Sequence, residues 1–267
     1  GQYNVLSPTY GIKWKEREAL TKNGKDNWHL RVNVIINILQ NSECDIIALQ
    51  EVEKNTILDL KKKLNYKYNF IYYNHPKRED ALCIVYNKFK FKKIKKKSHI
   101  YPPDQKIVVN GCVDLEYIKT NTFIRVVNTH QRGNNLNQLD DLIKFSLSNL
   151  PKKYIIIICG DFNEDFDNKK YFYDTTLKAI KLIKKNGFST LKRNKNEPQN
   201  SRPKHKQDQT QKSGKGKVDY IFIKSTYKIF KRRDKISKNT IIKSHKKNTI
   251  TNEWPSDHGM ESFSISN

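Results

Sequence analysis

Acidic residues are scarce in this chain. Its 27 Asp and Glu stand against 52 Lys and Arg over 267 residues, a formal net charge of +25. That imbalance predicts a polyanionic partner. Lys, Asn and Ile are all abundant, as AT-rich genomes produce, so a purely compositional origin of the charge stays open beside it. Long apolar runs are also missing. None exceeds Tyr154 to Cys159, far too short for a transmembrane helix, and no membrane partner is expected. No secretory signal is expected either, because the first residues read as a strand, and an intracellular setting follows. Without an initiator Met, a processed or partial chain is expected. The four cysteines, Cys44, Cys83, Cys112 and Cys159, show no CxxC spacing, which argues against zinc. Cys83 and Cys159 lie in apolar strand-like runs and read as buried free thiols. No internal repeat is evident.

What is present is enough to build a core: 36% of residues are apolar and 11% aromatic. The length suits one large domain over residues 1–267. Tyr3 to Leu6 reads as a short strand. Trp28, Val32, Ile35, Ile36 and Leu39 recur at helical spacing. Asp45 to Leu49 reads as a buried strand, and Asn55 as the cap of a helix carrying Ile57, Leu60 and Leu64. Further strands are predicted over Ala81 to Tyr86, Thr122 to Val127, Tyr154 to Cys159, Val218 to Ile223 and Met260 to Ile265. Helical spacing recurs over Leu136 to Leu150 and Leu177 to Ile183. Many strands with few helices predict an α+β domain with packed sheets. Phe89 to Lys97 alternates apolar and basic residues and reads as an edge strand or its exit. Lys192 to Lys217 is almost free of large apolar residues and reads as a long basic surface loop.

Polar residues able to bind a metal or a proton recur where strands end: Asn4, Glu51, His130, Asp161 with Asn163, Asp219, and Asp257 with His258. Strand ends and their loops are where a rigid scaffold presents catalytic groups. Each has an ordinary explanation taken singly, as a turn or a solvated end.

Together they carry a resemblance. Tyr3-Asn4-Val5-Leu6, Asp45-Ile46-Ile47-Ala48-Leu49-Gln50-Glu51-Val52, Asn128-Thr129-His130, Gly160-Asp161-Phe162-Asn163, Val218-Asp219-Tyr220-Ile221 and Ser256-Asp257-His258 stand in one order from residue 3 to 258. In this the chain resembles the endonuclease/exonuclease/phosphatase superfamily. The resemblance implies a four-layer DNase I-like sandwich of two packed, mostly antiparallel β-sheets flanked by helices. It also implies a metal-dependent phosphodiesterase. Glu51, Asn4 and Asp257 would form the metal shell, and an all-oxygen set suits Mg²⁺ or Mn²⁺. Asp161 would align or deprotonate the attacking water, and Asn163 would hold the water or the phosphate. His258 would act on a phosphate oxygen with Asp219 fixing its tautomer, and His130 would donate from the opposite side. Asn128 would lie at the substrate. His29, His75, His99, His205 and His245 read as structural or solvated.

Tyr3 to Tyr10, then Trp28 and Arg31, then Asp80 to Tyr86 with Lys88-Phe89, look most like the deadenylase branch. That resemblance implies an RNA nuclease acting from the 3′ end, with RNA favoured over DNA. Two stretches depart from the branch. Glu164-Asp165-Phe166-Asp167 lacks its Ser/Pro-rich turn, and Gly259-Met260 follows His258 where a proline usually stands. Base preference therefore stays open. A DNA endonuclease or repair nuclease, a phosphatase, a lipid phosphodiesterase and a non-catalytic binding protein remain the alternatives. Lys212, Lys215 and Lys217, just ahead of Asp219, are expected to follow a polymer's phosphates.

Overall fold

Strict alternation in the chain's strands sorts apolar side chains onto two faces, and each face needs a covering layer. The computed structural model describes residues 1–5, 7–9, 21–22, 25–26, 28–101, 109–133, 135–164, 166, 174–190, 219–227 and 260. Among them, β1 (Gln2–Asn4), β4 (Ile46–Val52), β5 (Tyr68–Tyr73) and β6 (Ala81–Asn87) form one sheet in the order β1-β4-β6-β5. The second sheet runs β11-β12-β10-β9-β8-β7. Its strands are β7 (Phe91–Ile100), β8 (Val109–Tyr117), β9 (Thr122–His130), β10 (Ile155–Asp161), β11 (Ser189–Thr190) and β12 (Asp219–Ser225). A short antiparallel pair is formed by β2 (Thr21–Lys22) and β3 (Lys25–Asp26). Among the described residues only β1–β4 and β9–β10 are parallel; the other pairings are antiparallel.

Three apolar layers result, and with them the four-layer DNase I-like sandwich. Helices α1 (Trp28–Asn41) and α2 (Lys54–Leu64) cover the outer face of the first sheet, where Ile35, Leu39, Leu60 and Leu64 meet Ile47 and Leu49. Ala48, Ile84, Val126, Ile157 and Ile221 fill the space between the sheets. Helices α3 (Leu136–Leu147) and α4 (Asp174–Lys185) cover the second sheet, with Leu142 and Ile183 against Ile156, Ile158 and Phe222. No helix among the described residues is long and apolar enough to cross a membrane.

Two contacts lock these layers. Arg125 on β9 is enclosed and forms a forked pair with Asp114 directly opposite on β8, Nε to Oδ1 at 2.7 Å and Nη2 to Oδ2 at 2.9 Å. Its Nη1 donates to Ser146 O and Ser148 O at the end of α3, supplying carbonyls that the helix cannot satisfy itself. Between the sheets, the ring of Tyr73 lies against Gly111. A Cβ there would stand 2.5 Å from the ring, so only glycine admits the approach.

The elements follow the sequence expectations with local departures. Phe91–Ile100 is indeed an edge strand, its lysines largely exposed. Asn55 is not a helix cap. The chain enters α2 at Glu53, whose side chain makes no capping bond, and Asn55 lies inside the helix. The asparagine that does cap is Asn135, accepting from Gln138 N at 3.0 Å. Strands β5 and β8 were not anticipated. Of the strand expected from Met260, only Met260 itself is described, buried against the first sheet's helices. The basic stretch Lys192 to Lys217 lies outside the described residues.

Candidate active site

Strand register assembles the site before any side chain is considered. On the second sheet His130, Asp161 and Asp219 are direct neighbours on β9, β10 and β12, so the three share one face. That face carries Val126, Ile157 and Ile221 and therefore looks toward the first sheet. On the first sheet Asn4 pairs with Gln50, on the face shared with Ala48. Two rows of polar groups thus converge at one end of the apolar inter-sheet layer.

Glu51 needs a special device to join them. Ile47 and Leu49 face the helices, and simple alternation would send Glu51 the same way. The β4–β6 register shifts between Leu49 and Val52, one residue more on β4 than on β6. This bulge carries Glu51 at φ 57, a left-handed backbone that a non-glycine residue adopts at a cost. Its carboxylate is turned into the cleft. There Asn4 Nδ2 donates to Glu51 Oε1 at 2.9 Å and to Asp161 Oδ2 at 3.2 Å, bridging the sheets. Ser7 N donates to Glu51 Oε2 at 3.3 Å, and the segment after β1 is held down by Ser7 Oγ and Thr9 N on Glu53. His130 Nε2 lies 3.7 Å from Asp161 Oδ2 and 4.0 Å from Glu51 Oε1.

Asp161 is completely enclosed, and its Oδ1 accepts from Asn163 N at 2.8 Å. Asn163 also sits in a left-handed conformation, φ 51, and donates from Nδ2 to Gln131 O at 2.9 Å. The turns after β9 and β10 are laced further by Gln131 N on Asp161 O and Gly133 N on Phe162 O. Behind them Gln131 Nε2 donates to Thr129 Oγ1 (2.6 Å), whose hydroxyl donates to Asn110 Oδ1 (2.7 Å). Gly160 lets the strands close here, since a Cβ would stand 1.9 Å from Thr129 O. Cys159 is no nucleophile. Burial pushes its thiol up to about 12.

The structure brings together Asn4, Glu51, His130, Asp161, Asn163 and Asp219 among the residues singled out from sequence. Asn128 is a correction. It is fully buried, Nδ2 donating to Leu49 O (2.8 Å) and Cys83 O (3.0 Å) and Oδ1 accepting from Gln50 Nε2 (2.7 Å). Its two donated bonds and its oxygen are all taken up in tying one sheet to the other, so the amide serves the fold and not the substrate. Trp28 and Arg31 are likewise structural. Trp28 Nε1 donates to Asp59 on α2, and Arg31 Nη1 holds Val5 O at 3.1 Å. Asp257, His258, Lys212, Lys215 and Lys217 lie outside the described residues. Gln131, Asn110, Thr129 and Ser7 were not anticipated. Polar residues inside apolar strands, as at Asn110 and Thr129, were the available signal.

The donor set fits a hard divalent cation. Ligand atoms of Glu51, His130 and Asp161 all lie within 4.8 Å of one another. Two carboxylates converging beside an imidazole suit a cationic partner, and carboxylate oxygens match Mg²⁺ or Mn²⁺.

A family profile described as "Endonuclease/Exonuclease/phosphatase family" matches residues 1–258. The chain belongs to the endonuclease/exonuclease/phosphatase family. Its members are divalent-metal-dependent phosphoester hydrolases, and this chain is a hydrolase of that family. No curated protein matches by sequence. Solved structures share the family fold. ANGEL2, a 2′,3′-cyclic phosphatase, superposes with a TM-score of 0.69 at 18% identity, over 96% of this chain and 91% of that one. A Danio rerio (D. rerio) TDP2 complexed with a single-strand DNA product gives 0.66 at 15%, over 97% and 94%. A mannosyl-6-phosphatase of Bacteroides thetaiotaomicron gives 0.64 at 16%, over 97% and 95%.

Proposed function

We propose that this family member is a phosphodiesterase acting on nucleic acid, with RNA favoured over DNA, and that residues 1–267 form one catalytic domain. The observation that carries the reading is the junction of Asn4, Glu51, Asp161 and His130 across the two sheets. A cation at Glu51, with Asn4 and Asp257 completing or watering its shell, would supply charge neutralisation at the phosphate.

The remaining groups divide the work. Asp161, fixed by Asn4 and Asn163 N, orients the attacking water and accepts its proton. Asn163 holds the water or a phosphate oxygen. His130 donates to the phosphate. His258, its tautomer set by Asp219, acts on a phosphate oxygen from the other side. The net charge of +25 supports a polyanionic substrate. The deadenylase-like N-terminal residues support RNA cut from the 3′ end. A ribonucleotide substrate is also in keeping with the fold shared with ANGEL2, a 2′,3′-cyclic phosphatase whose structure is known with adenosine-2′,3′-vanadate. One observation favours DNA instead, the shared fold with a TDP2 holding a single-strand DNA product.

The test is a product ladder from end-labelled RNA, DNA and oligo(A), incubated with Mg²⁺ or with chelator and compared with Asp161→Asn. Magnesium-dependent cleavage of RNA, stepwise from the 3′ end and lost in Asp161→Asn, is expected. Cleavage of DNA alone would move the reading to the second substrate. Intact polymers beside rapid hydrolysis of a small phosphate ester would overturn it.

A further inference from the structure

The pole of the sandwich opposite the catalytic cleft carries a surface that the proposed chemistry does not use. Two turns meet there. The turn between α2 and β5 holds Tyr66 and the turn between β6 and β7 holds Phe89, which are 59% and 69% exposed, the most exposed large apolar side chains among the described residues. Lys88 N donates to Lys67 O at 3.1 Å and Lys88 Nζ to Asn65 O at 2.9 Å, so the turns are stitched side by side. The β8–β9 turn joins them through Ile118 N on Lys90 O at 2.9 Å.

The surroundings are basic. Lys61, Lys62, Lys63, Lys88, Lys90 and Lys119 are all exposed. Lys62 and Lys90 have carboxylate partners, Asp59 at 3.0 Å and Asp45 at 2.8 Å, while Lys61 and Lys88 lie over rings instead. Lys88 Nζ stands 5.4 Å from the Phe89 ring centroid and Lys61 Nζ 6.0 Å from that of Phe70. An exposed ring with an ammonium beside it is what a single-stranded nucleotide needs, the base stacking on the ring and its phosphate meeting the cation. Isolated exposed lysines at a sheet edge would be read as protection against aggregation. Two protruding rings do the opposite, because exposed aromatic surface costs solubility unless something covers it.

We infer that Tyr66 and Phe89, with Lys63, Lys88 and Lys119 around them, form a second binding surface for single-stranded nucleic acid, remote from the catalytic cleft. The choice of partner rests on the nucleic-acid reading of the function. The nine residues of β9, from Thr122 at this pole to His130 at the cleft, separate the two by about 26 Å along the strand. A strand held at both places must span at least that distance. The surface therefore contributes to binding of long strands and not of short ones.

The experiment separates this surface from catalysis. Binding of a long and a very short labelled oligouridylate is measured in chelator, where no cleavage is expected. The proteins are wild type, the double variant Tyr66→Ala/Phe89→Ala, the triple variant Lys63→Ala/Lys88→Ala/Lys119→Ala, and a control pair, Lys178→Ala/Lys181→Ala, exposed on α4 against the outer face of the second sheet. The double variant is expected to lose roughly tenfold or more in affinity for the long strand, the scale of one lost base stack. The triple variant is expected to flatten the salt dependence by about two units of slope. The short strand is expected to bind all proteins alike, and a small chromogenic phosphodiester to be hydrolysed at the wild-type rate. In Phe89→Trp the indole emission is expected to be quenched by the long strand. Unchanged long-strand affinity in the double variant overturns the proposal, as does an equal loss in the control pair. Loss of binding to anionic vesicles with oligouridylate binding intact also overturns it, in favour of a membrane surface. If these binding results hold while no nucleic acid is cleaved with Mg²⁺, the proposed function fails and this surface stands.

Discussion

Replacing Asn128 by alanine separates a structural tie from a substrate contact. The side chain makes three hydrogen bonds across the apolar layer, to Leu49 O, Cys83 O and from Gln50 Nε2, and none of its surface meets solvent. Removing the amide leaves three buried partners unpaired. At about 1 kcal/mol each, the loss is about 3 kcal/mol, and the small void adds to it. For a chain of this size that corresponds to a fall in Tm of about 6–12 °C. Asn128→Asp is expected to be worse, since it sets a carboxylate against two carbonyl oxygens and removes both donors. Gln50 precedes the strained Glu51, so loss of its partner loosens the bulge that aims the Glu51 carboxylate. Thermal unfolding with steady-state kinetics is the assay. Lower Tm with lower kcat is expected. Unchanged Tm with only a raised KM would refute the tie and restore Asn128 to the substrate.

Four further outcomes are expected. Cys83, Cys112 and Cys159 are pushed by burial up to about 12, so among the described cysteines only the half-buried Cys44 is expected to react with a thiol reagent at pH 8 in the folded protein. Because these thiols keep their protons longer when folded than when unfolded, stability is expected to fall as pH rises from about 9 toward 12, read by denaturant titration. Asp219→Asn and His258→Ala are each expected to slow the chemical step, His258→Ala by roughly 10²-fold or more, and to be non-additive in single-turnover kinetics; additive losses would break the pairing. Lys212→Ala/Lys215→Ala/Lys217→Ala is expected to flatten the salt dependence of long-oligonucleotide binding by about one unit per lost phosphate contact, and an unchanged slope would remove this stretch from the substrate track.

Much of the fold was legible because apolar runs and strand ends are local signals. Ile155–Asp161 follows from the run that begins at Tyr154, and Asp161 stands where it stops. The same logic hid β8. Asn110, Gly111 and Asp114 interrupt its apolar pattern, and the partners that settle them in a strand, Thr129, Tyr73 and Arg125, arrive from elsewhere in the chain. Asn55 misled for the opposite reason: a residue type common at caps fell two residues past the true cap position, Glu53, at a helix entry with no side-chain cap. In the site, the identity of Glu51 was readable but its orientation was not. Nothing in Leu49-Gln50-Glu51-Val52 announces a bulge, and without one Glu51 would face the helices. Asn128 was assigned to the substrate from its neighbourhood in sequence, whereas its role is set by Gln50, Leu49 and Cys83 on the other sheet.

The proposed function hinges on one residue, Glu51, turned into the cleft by the bulge to hold the divalent cation. Its most direct test is a Mg²⁺ titration of activity in Glu51→Gln beside wild type, with Mg²⁺ affinity followed independently by calorimetry. The substitution keeps size and shape and removes the negative charge. Metal affinity is expected to fall at least about tenfold, with activity shifted to correspondingly higher Mg²⁺ and Tm in chelator nearly unchanged. Wild-type turnover at limiting Mg²⁺, with an unaltered binding isotherm, would contradict the assignment.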